Sequence, residues 1–337
     1  MCMKRQHAFA HTLLQWYREN GRSLPWRETR DAYAIWLSEV ILQQTRIQQG
    51  LDYWLRFMQR FPTVADLAAA DEDEVLRLWQ GLGYYSRARN LHAAAKQIVE
   101  LGRFPETLEE IKRLKGVGDY TAAAIGSIAF GLPVAAVDGN VYRVLARYFG
   151  ISTPINSTEG KKLFAAMAQD LLPSDQAATY NQAIMDFGAI QCTPQSPRCL
   201  LCPINETCEA LRTGQVESLP VKLKTVKVTE RQMSYVYLRW QGKTCIRRRG
   251  KGDIWQGLWE PPTLDVVQAV GLPTGKQLCK QVKHVLTHRI LYADFYFLEV
   301  DLQPQLPADY RWIEESDIGQ YALPRLIEIL FEAIDRR

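Results

Sequence analysis

Four cysteines within one short stretch constrain the folding of this chain more than any other feature. Successive members are separated by six, two and five residues, and the set is Cys192, Cys199, Cys202 and Cys208. Prolines interrupt the stretch, so we predict a loop wrapped around a shared partner in preference to four independent buried thiols. Thiolates select iron–sulfur clusters or zinc, and the spacing alone leaves both open.

The remaining cysteines and the N-terminus indicate a reducing compartment. Cys2, Cys245 and Cys279 are scattered through the 337 residues and are predicted to be unligated. Residues 1–20 contain no continuous apolar segment of the kind that an export signal needs. We therefore expect a cytoplasmic protein in which metal binding is favoured over disulfides. The longest uncharged stretch, 120–137, is rich in Ala and Gly, which predicts closely packed helices and no membrane span.

Length and a change of pattern near residue 220 predict two domains. Residues 1–212 show helical apolar spacing between glycine turns, which predicts a mostly α domain with one helix over 32–45. Residues 213–229 are the predicted linker, with a strand-like alternation at 221–228, and residues 230–337 are predicted to form an α+β domain. In that second domain we expect strands at 234–240 and 290–300 and short helices at 265–270 and 276–282.

Residues 111–122 are predicted to form a helix, a tight Gly-x-Gly turn and a second helix. Gly116 and Gly118 leave backbone N–H groups uncovered, and the start of the following helix adds more N–H donors and a favourable dipole. This arrangement suits one phosphate group, and Lys115 lies beside it with Lys112 and Arg113. The alternative is an ordinary helix–helix turn without a ligand.

Two acidic residues lie in settings that favour opposite protonation states. Glu39 falls in a helix that is apolar almost all round, where a carboxyl group holds its proton more tightly, as a general acid must. The alternative is a buried glutamate paired with Arg27 or Arg46. Asp138 directly precedes a helix, where it can cap the first turn or keep a carboxylate ionised. One protonated and one ionised carboxyl group is the pair that glycosidic cleavage needs.

Taken together, these segments resemble those of the endonuclease III superfamily of base-excision enzymes. Residues 114–121 resemble its helix–hairpin–helix, residues 137–143 its Asp-bearing segment, and residues 192–208 its [4Fe–4S] loop. Residues 36–45 and 81–90 are similar to the adenine DNA glycosylase branch, the MutY family. The resemblance implies a [4Fe–4S] cluster, not zinc, at the four cysteines.

The last third of the chain resembles that family's MutT-like domain. Residues 254–262 carry the likeness. The glutamate-rich box of Nudix hydrolases does not follow, so we expect this domain to bind and not to hydrolyse a pyrophosphate.

The resemblance implies an enzyme that removes adenine mispaired with 8-oxoguanine in double-stranded DNA, acting as a monomer near the bacterial nucleoid. Glu39 would protonate adenine at N7, and Asp138 would stabilise the resulting sugar cation, electrostatically or through a transient covalent bond. The matched positions that line the pocket or support the transition state are Arg27, Tyr120, Asn140 and Asp186. Those that wedge into the duplex around the oxidised guanine are Gln44 and Tyr84.

The chain departs from the family pattern at three places. Tyr120 stands where bifunctional relatives have a lyase lysine, so we expect no strong lyase activity. Leu286, Thr287 and His288 stand where the family has Phe-Ser-His, a loop that probes 8-oxoguanine, so the hydroxyl and imidazole remain without the aromatic ring. Lys115 replaces a usual proline in the hairpin.

The whole net charge of +4 lies after residue 220, mainly in the basic run 222–251. That run is interpreted as a phosphate-tracking surface, and its alternative is a solvated face without a ligand. Two other functions stay open from the residues alone. One is a glycosylase/lyase of the endonuclease III type, and the other is a non-catalytic iron–sulfur protein that binds DNA.

Overall fold

The computed structural model describes residues 3–224 and 227–335, and these form two compact units. The first unit contains the described residues up to Ala68 together with 93–224. The second unit joins 69–92 to the described residues from 227 onward. The sequence pattern predicts that 69–92 belong to the helical domain, whereas the contacts of this segment group it with the carboxyl-terminal residues. Arg248, for example, forms ion pairs with Glu72 and Asp73.

The helices confirm the prediction of a mostly α amino-terminal part. In chain order they are α1 Met3–Asn20, α2 Ala32–Ile41, α3 Ile47–Arg60, α4 Val64–Ala69, α5 Glu72–Leu78, α6 Ser86–Leu101, α7 Leu108–Arg113, α8 Asp119–Phe130, α9 Gly139–Phe149, α10 Thr158–Leu171, α11 Ala177–Asp186, α12 Glu209–Arg212, α13 Leu264–Ala269 and α14 Arg325–Asp335. None of the helices in the described ranges is long and apolar enough to cross a lipid bilayer.

Helix α2 is shorter than the predicted helix 32–45. Asp31 begins it by accepting a hydrogen bond from the backbone N–H of Tyr33. It ends at Ile41, and Gln44 in the following turn has a left-handed backbone with φ +59°. Helix α3 then packs so closely that a side-chain carbon on Gly50 would lie 2.6 Å from Leu42. The turn therefore replaces the predicted last turn of helix and allows this close packing.

The core of the first unit forms where helical stripes meet. The predicted stripe on α9 is buried around Val141, Val144, Leu145 and Tyr148, together with residues of α1, α10 and α11. Burying such side chains contributes about 1.5–3 kcal/mol each. This packing fixes the amino-terminal end of α9, where Asp138 is the N-cap residue.

The second unit is built on one sheet. Its strands are β1 Thr229–Trp240, β2 Lys243–Arg248, β3 Trp259–Glu260, β4 Lys276–Val285, β5 Arg289–Glu299 and β6 Tyr310–Glu314. The order across the sheet is β3-β2-β1-β5-β4, and β6 pairs with β2. Strands β1 and β5 run parallel from Thr229 opposite Arg289 to Arg239 opposite Glu299. This sheet with α13 and α14 confirms the predicted α+β fold. Strand β1 contains the predicted strand 234–240, β5 covers the predicted strand 290–300 as far as Glu299, and α13 covers the predicted helix 265–270 as far as Ala269.

Two local predictions in this part of the chain are wrong. Residues 276–282 form strand β4 and not a helix. The register of β4 shifts between Gln277 and Cys279 and again before Val282, and these bulges give the inward-facing residues a spacing that imitates a helix. Residues 221–224 form no strand either, because they extend along the first unit, where Asn156 bonds both backbone groups of Leu223. Residues 225–226 of the same prediction lie outside the described residues.

Candidate active site

Glu39 faces an open pocket of about 1620 Å³ in the first unit. It lies near the end of α2, between buried residues, and is itself half-buried. The hydroxyl of Tyr120, from the first turn of α8, donates a hydrogen bond of 2.8 Å to Oε2 of Glu39. Burial raises the pKa of Glu39 to about 7, with a further rise from Asp138, while the Tyr120 bond and Arg27 act in the opposite direction. Glu39 can therefore hold a proton at neutral pH.

The alternative of an ordinary buried ion pair does not describe Glu39. Of the ion pairs between residues that the structure describes, none joins Glu39 to Arg27 or Arg46. Arg27 is engaged elsewhere, and Arg46 is exposed.

Asp138 lines the same pocket and caps α9. Its Oδ1 accepts hydrogen bonds of 2.8 Å from the backbone N–H groups of Asn140 and Val141, and its Oδ2 accepts one of 2.7 Å from the Asn140 side chain. Burial raises the pKa of Asp138, and these three bonds and Arg143 oppose the rise. The pKa of Asp138 stays above its ordinary value, but all three partners are donors, so these bonds favour the ionised carboxylate. Asp138 therefore caps α9 and lines the pocket with the same carboxyl group.

A buried arginine fixes the Asn140 side chain. Nη2 of Arg143 donates to Oδ1 of Asn140 at 2.7 Å and to the Gly188 carbonyl at 2.6 Å, which leaves the Asn140 amide nitrogen for Asp138. Nε of Arg143 donates to the Cys192 carbonyl at 2.7 Å. Gly188 must lack a side chain, because a Cβ there would lie 2.6 Å from Asn140. This network connects Asp138 with the start of the cysteine loop.

Asp186 lies behind the pocket wall and holds two arginines. Its fully buried carboxylate accepts two hydrogen bonds from Arg27, at 2.7 and 2.8 Å, and others from the backbone and guanidinium of Arg22. Although burial alone would raise it, these bonds and charges bring the pKa of Asp186 down to about 2. Arg22 and Arg27 line the pocket, whereas Asp186 does not line it and binds both guanidinium groups.

The pocket also contains residues that the sequence reasoning missed. Arg22 and Gln182 both line it, and Gln182 accepts a hydrogen bond of 2.9 Å from the Tyr17 hydroxyl. Gln182 precedes Asp186 by four residues on α11, so helical spacing from the predicted Asp186 could have indicated it. No comparable signal pointed to Arg22. Among the predicted residues, the pocket brings together Arg27, Glu39, Gln44, Tyr120, Asp138 and Asn140.

The predicted hairpin is present between α7 and α8. Gly116 has φ +78°, a conformation that other residues adopt only with strain, and Gly118 is the N-cap of α8. Lys115 is exposed, and its backbone N–H donates to Gln97. Lys112 forms an ion pair of 2.8 Å with Asp119, so its charge is partly satisfied within the hairpin.

The four predicted cysteines line one cavity of about 400 Å³ next to α9. All four are unpaired thiols, and Nη1 of Arg147 lies 3.5 Å from Sγ of Cys192. Within the described parts of the chain, no His, Cys, Asp and Glu side chains are grouped to hold a metal ion directly. The sulfur atoms instead surround a space that has apolar walls, with Val144 and Ile204 among its lining residues.

The second unit has a pocket of its own, which contains three of the predicted residues. Tyr84, Thr287 and His288 line it, in a space of about 1690 Å³. The Tyr84 and Thr287 hydroxyls are hydrogen-bonded to each other. Tyr84 has a left-handed backbone with φ +45°. Such strain is commonly retained at binding sites, and Gln44 in the other unit has the same feature.

The basic run differs from its interpretation as a free phosphate-tracking surface. Six of its cations form ion pairs with carboxylates inside the second unit, and these are Arg231, Arg239, Lys243, Arg247, Arg248 and Arg249. Glu260 is the most buried of the partners and accepts from Arg247, Arg249 and the Tyr235 hydroxyl. Most of this charge therefore has carboxylate partners in the same unit, whereas Lys222, Lys224, Lys227 and Lys251 lie outside these pairs.

Comparison with known proteins identifies the class of protein to which the helical fold and its pocket belong. Residues 37–169 match the model of the HhH-GPD superfamily of base excision DNA repair proteins, and residues 234–333 match a NUDIX domain. A solved thermostable thymine-DNA glycosylase is 31% identical, with a TM-score of 0.58 over 62% of this chain and 98% of that one. An endonuclease III–DNA complex, at 21% identity and a TM-score of 0.56, shows the same fold over 64% of this chain and 98% of that one.

The curated relatives narrow this class. An adenine DNA glycosylase of Buchnera aphidicola is 34% identical over 77% of this chain and 76% of its own length. The human adenine DNA glycosylase is 44% identical over 63% of this chain and 41% of its own. The chain belongs to the adenine DNA glycosylase family. It spans less than half the length of the human and mouse relatives.

Proposed function

We propose that the protein hydrolyses the N-glycosidic bond of adenine mispaired with 8-oxoguanine, or with guanine, in double-stranded DNA and leaves an abasic site. The observation that carries this proposal is the pairing of Glu39, with a pKa of about 7, and Asp138, bonded by three donors, in one pocket. An acid that is partly protonated at neutral pH and a carboxyl group whose three hydrogen bonds favour its ionised form supply the two roles of the reaction.

The reaction requires the adenine to leave the base stack and enter the pocket. Glu39 gives its proton to N7, and the bond between C1′ and N9 breaks with its electrons passing to the base. The sugar is left as an oxocarbenium-like cation, which Asp138 stabilises electrostatically or through a transient covalent bond. Water then adds to C1′ and gives its proton to the Glu39 carboxylate, which yields adenine and an abasic site and restores the protonated acid. Tyr120 holds the Glu39 carboxyl, and Asn140 holds that of Asp138.

The walls of the pocket fit a purine. Arg22 and Arg27, oriented by Asp186, present donors toward the acceptor nitrogens of the base, and Gln182 adds an amide. Tyr120 occupies the place at which a lyase would need an amine nucleophile. We therefore propose a monofunctional enzyme that leaves the sugar–phosphate backbone intact.

Recognition of the opposite base is assigned to the pocket of the second unit. Thr287 and Tyr84 offer hydroxyl groups that can exchange their mutual hydrogen bond for bonds to 8-oxoguanine, with His288 beside them. Gln44 and Tyr84 would wedge into the duplex. The hairpin with Gly116, Gly118 and Lys115 would bind one backbone phosphate. Partner DNA, a monomeric state and a cytoplasmic, nucleoid-associated location complete this proposal.

A [4Fe–4S] cluster fits the donor set of the cysteine cavity. Cys192, Cys199, Cys202 and Cys208 surround a space larger than one ion needs, and their thiolates are the ligands that such clusters use. When bound, the cluster would cross-link the loop through four iron–thiolate bonds. Arg147, from α9, would place a positive charge beside the Cys192 sulfur.

The test is incubation with duplexes that carry adenine opposite 8-oxoguanine, guanine or thymine, followed by alkali and sizing of the strands. We expect cleavage after alkali, fastest opposite 8-oxoguanine, and intact strands without alkali. Cleavage without alkali would indicate a glycosylase/lyase instead. Binding without base release in every duplex would indicate a non-catalytic DNA-binding protein.

A further inference from the structure

The segment that leads to Asp138 is held by two side-chain amides from two different helices. Helix α8 ends at Phe130, and residues 131–137 form no helix or strand before Asp138. On one helix, Oδ1 of Asn181 accepts from the Ala136 N–H at 3.0 Å, and its Nδ2 donates to the Val134 carbonyl at 2.9 Å. On the other, Oε1 of Gln169 accepts from the Ala135 N–H, and its Nε2 donates to the Pro133 carbonyl.

Each amide therefore bonds one carbonyl and one N–H two residues apart. Asn181 takes the groups of 134 and 136, and Gln169 takes those of 133 and 135. A backbone segment outside helices and strands needs partners for its polar groups, and here side chains supply them. Four successive residues are thus held by two side chains from α10 and α11.

The two clamps differ in their surroundings. Asn181 is 1% exposed, and its Nδ2 also donates to the Ser127 hydroxyl at 2.9 Å, so it belongs to a buried network. Gln169 is exposed on α10 and does not line the active-site pocket. Asn181 therefore contributes to stability, whereas Gln169 can be changed with little effect on folding.

We infer that Asn181 and Gln169 are positioning residues for base release, which hold residues 133–136 so that Val137 and Asp138 keep their place in the pocket wall. This inference rests on the proposed function. A displacement of a catalytic group by a fraction of an ångström slows a reaction without weakening substrate binding. The amides would thus act on the catalytic step from outside the pocket.

The primary test is Gln169→Ala, with Asp170→Ala as the matched control, because Asp170 is its exposed neighbour and does not bond the segment. We expect the single-turnover rate of adenine release to fall about fivefold to tenfold, since loss of two hydrogen bonds of ordinary strength permits a change of that size. Affinity for a duplex carrying a non-cleavable adenine analogue and the melting temperature should match those of the control. Asn181→Ala, if it folds, should show a larger loss of rate.

Hydrogen exchange of the peptide that covers 131–138, measured in the free protein, provides the second readout. It should be faster in Gln169→Ala than in Asp170→Ala. An unchanged rate of adenine release, or a slower release without faster exchange at 131–138, would overturn the inference. If the wild-type protein released no adenine, the proposed function would fail and with it the role in base release, while the exchange measurement would still show whether Gln169 holds the segment.

Discussion

The Tyr120 hydroxyl donates a 2.8 Å hydrogen bond to the carboxyl group of Glu39, from a helix that begins in the hairpin. The phosphate-binding candidate and the candidate general acid are thereby connected through one short helical turn. The hydrogen bond favours the ionised form of Glu39 and so works against the burial that keeps it protonated. Tyr120 thus adjusts the acidity of the group that it holds.

Tyr120→Phe should shift the pH dependence of adenine release. Removing the hydroxyl removes an effect that lowers the pKa of Glu39, so the pKa rises above about 7. Since Glu39 must be protonated to act, the loss of activity at high pH should move to higher pH. Single-turnover rates between pH 5 and 9 measure this. Tyr142→Phe is the control, because Tyr142 lines the pocket without bonding Glu39, and a similar shift in both variants would contradict the assignment.

Glu39→Gln should stop adenine release and leave duplex binding intact. Loss of general acid catalysis costs about 10²–10⁴ in rate.

The Glu39→Gln variant should also be more stable than the wild type at pH 8 but not at pH 4.5. Because the folded protein raises the pKa of Glu39 from its ordinary 4.5 to about 7, ionisation destabilises the fold as pH rises through this range, by at most about 3 kcal/mol. Urea unfolding at both pH values measures the difference, and equal stability of the two proteins at pH 8 would argue against the raised pKa.

Asp186→Asn should destabilise the protein by about 3 kcal/mol or more, because it leaves Arg22 and Arg27 next to a neutral amide. The pKa of Asp186 is lowered to about 2, so its contribution is present above pH 4 and is lost as pH falls toward 2. Urea unfolding at pH 7 measures the loss. Asp170→Asn, on the exposed face of α10, should change the free energy of unfolding by less than about 0.5 kcal/mol. A loss for Asp186→Asn as small as that of this control would rule out the structural role.

Cys199→Ser should remove iron and fade the brown visible absorption of the purified protein. The wild type is expected to contain about four iron atoms, in accordance with a cluster held by four thiolates. Cys279→Ser is the matched control, because Cys279 is also half-buried but lies in strand β4 of the other unit. Metal analysis and the visible spectrum are the measurements. An equimolar zinc content without iron would exclude the cluster.

Thr287→Val should lower the preference for 8-oxoguanine over guanine opposite the adenine. The substitution keeps the shape of the side chain and removes the hydroxyl that bonds Tyr84. We expect the ratio of single-turnover rates on the two duplexes to fall about threefold to tenfold, the usual size for one hydrogen bond. Thr274→Val, a threonine of the same unit outside the pocket, should leave the ratio unchanged. An unchanged ratio in Thr287→Val would assign lesion reading to other residues.

Local patterns predicted the features that depend on neighbours in sequence. The stripe on α9, the hairpin with its two glycines and the capping position of Asp138 all follow from spacing within a few residues. The setting of Glu39 was also predictable, because a carboxyl group in a helix with apolar residues on every side is held in a poorly hydrated place. Its pKa of about 7 agrees with that expectation.

Features that depend on distant residues were not predictable in this way. The bulges of β4 arise from pairing with β5, and without that partner their spacing favoured a helix. Some arginines of the basic run form ion pairs with carboxylates that are distant in sequence, as Arg248 does with Glu72, so their charge appeared unpaired in the sequence. Arg22 lies in the pocket wall and is bonded there by Asp186, which is 164 residues away in sequence.

The grouping of residues 69–92 with the carboxyl-terminal sheet has a consequence for biosynthesis. The segment leaves the ribosome long before its partners Gly257 and Leu323, which lie against Leu76 and Tyr85 respectively, have been translated. A nascent chain must keep these apolar side chains from aggregating until translation is almost complete. An early stop codon that removed the carboxyl-terminal sheet would leave residues 69–92 without their packing partners. Chaperones and proteases would then be expected to recognise the exposed apolar side chains of this segment.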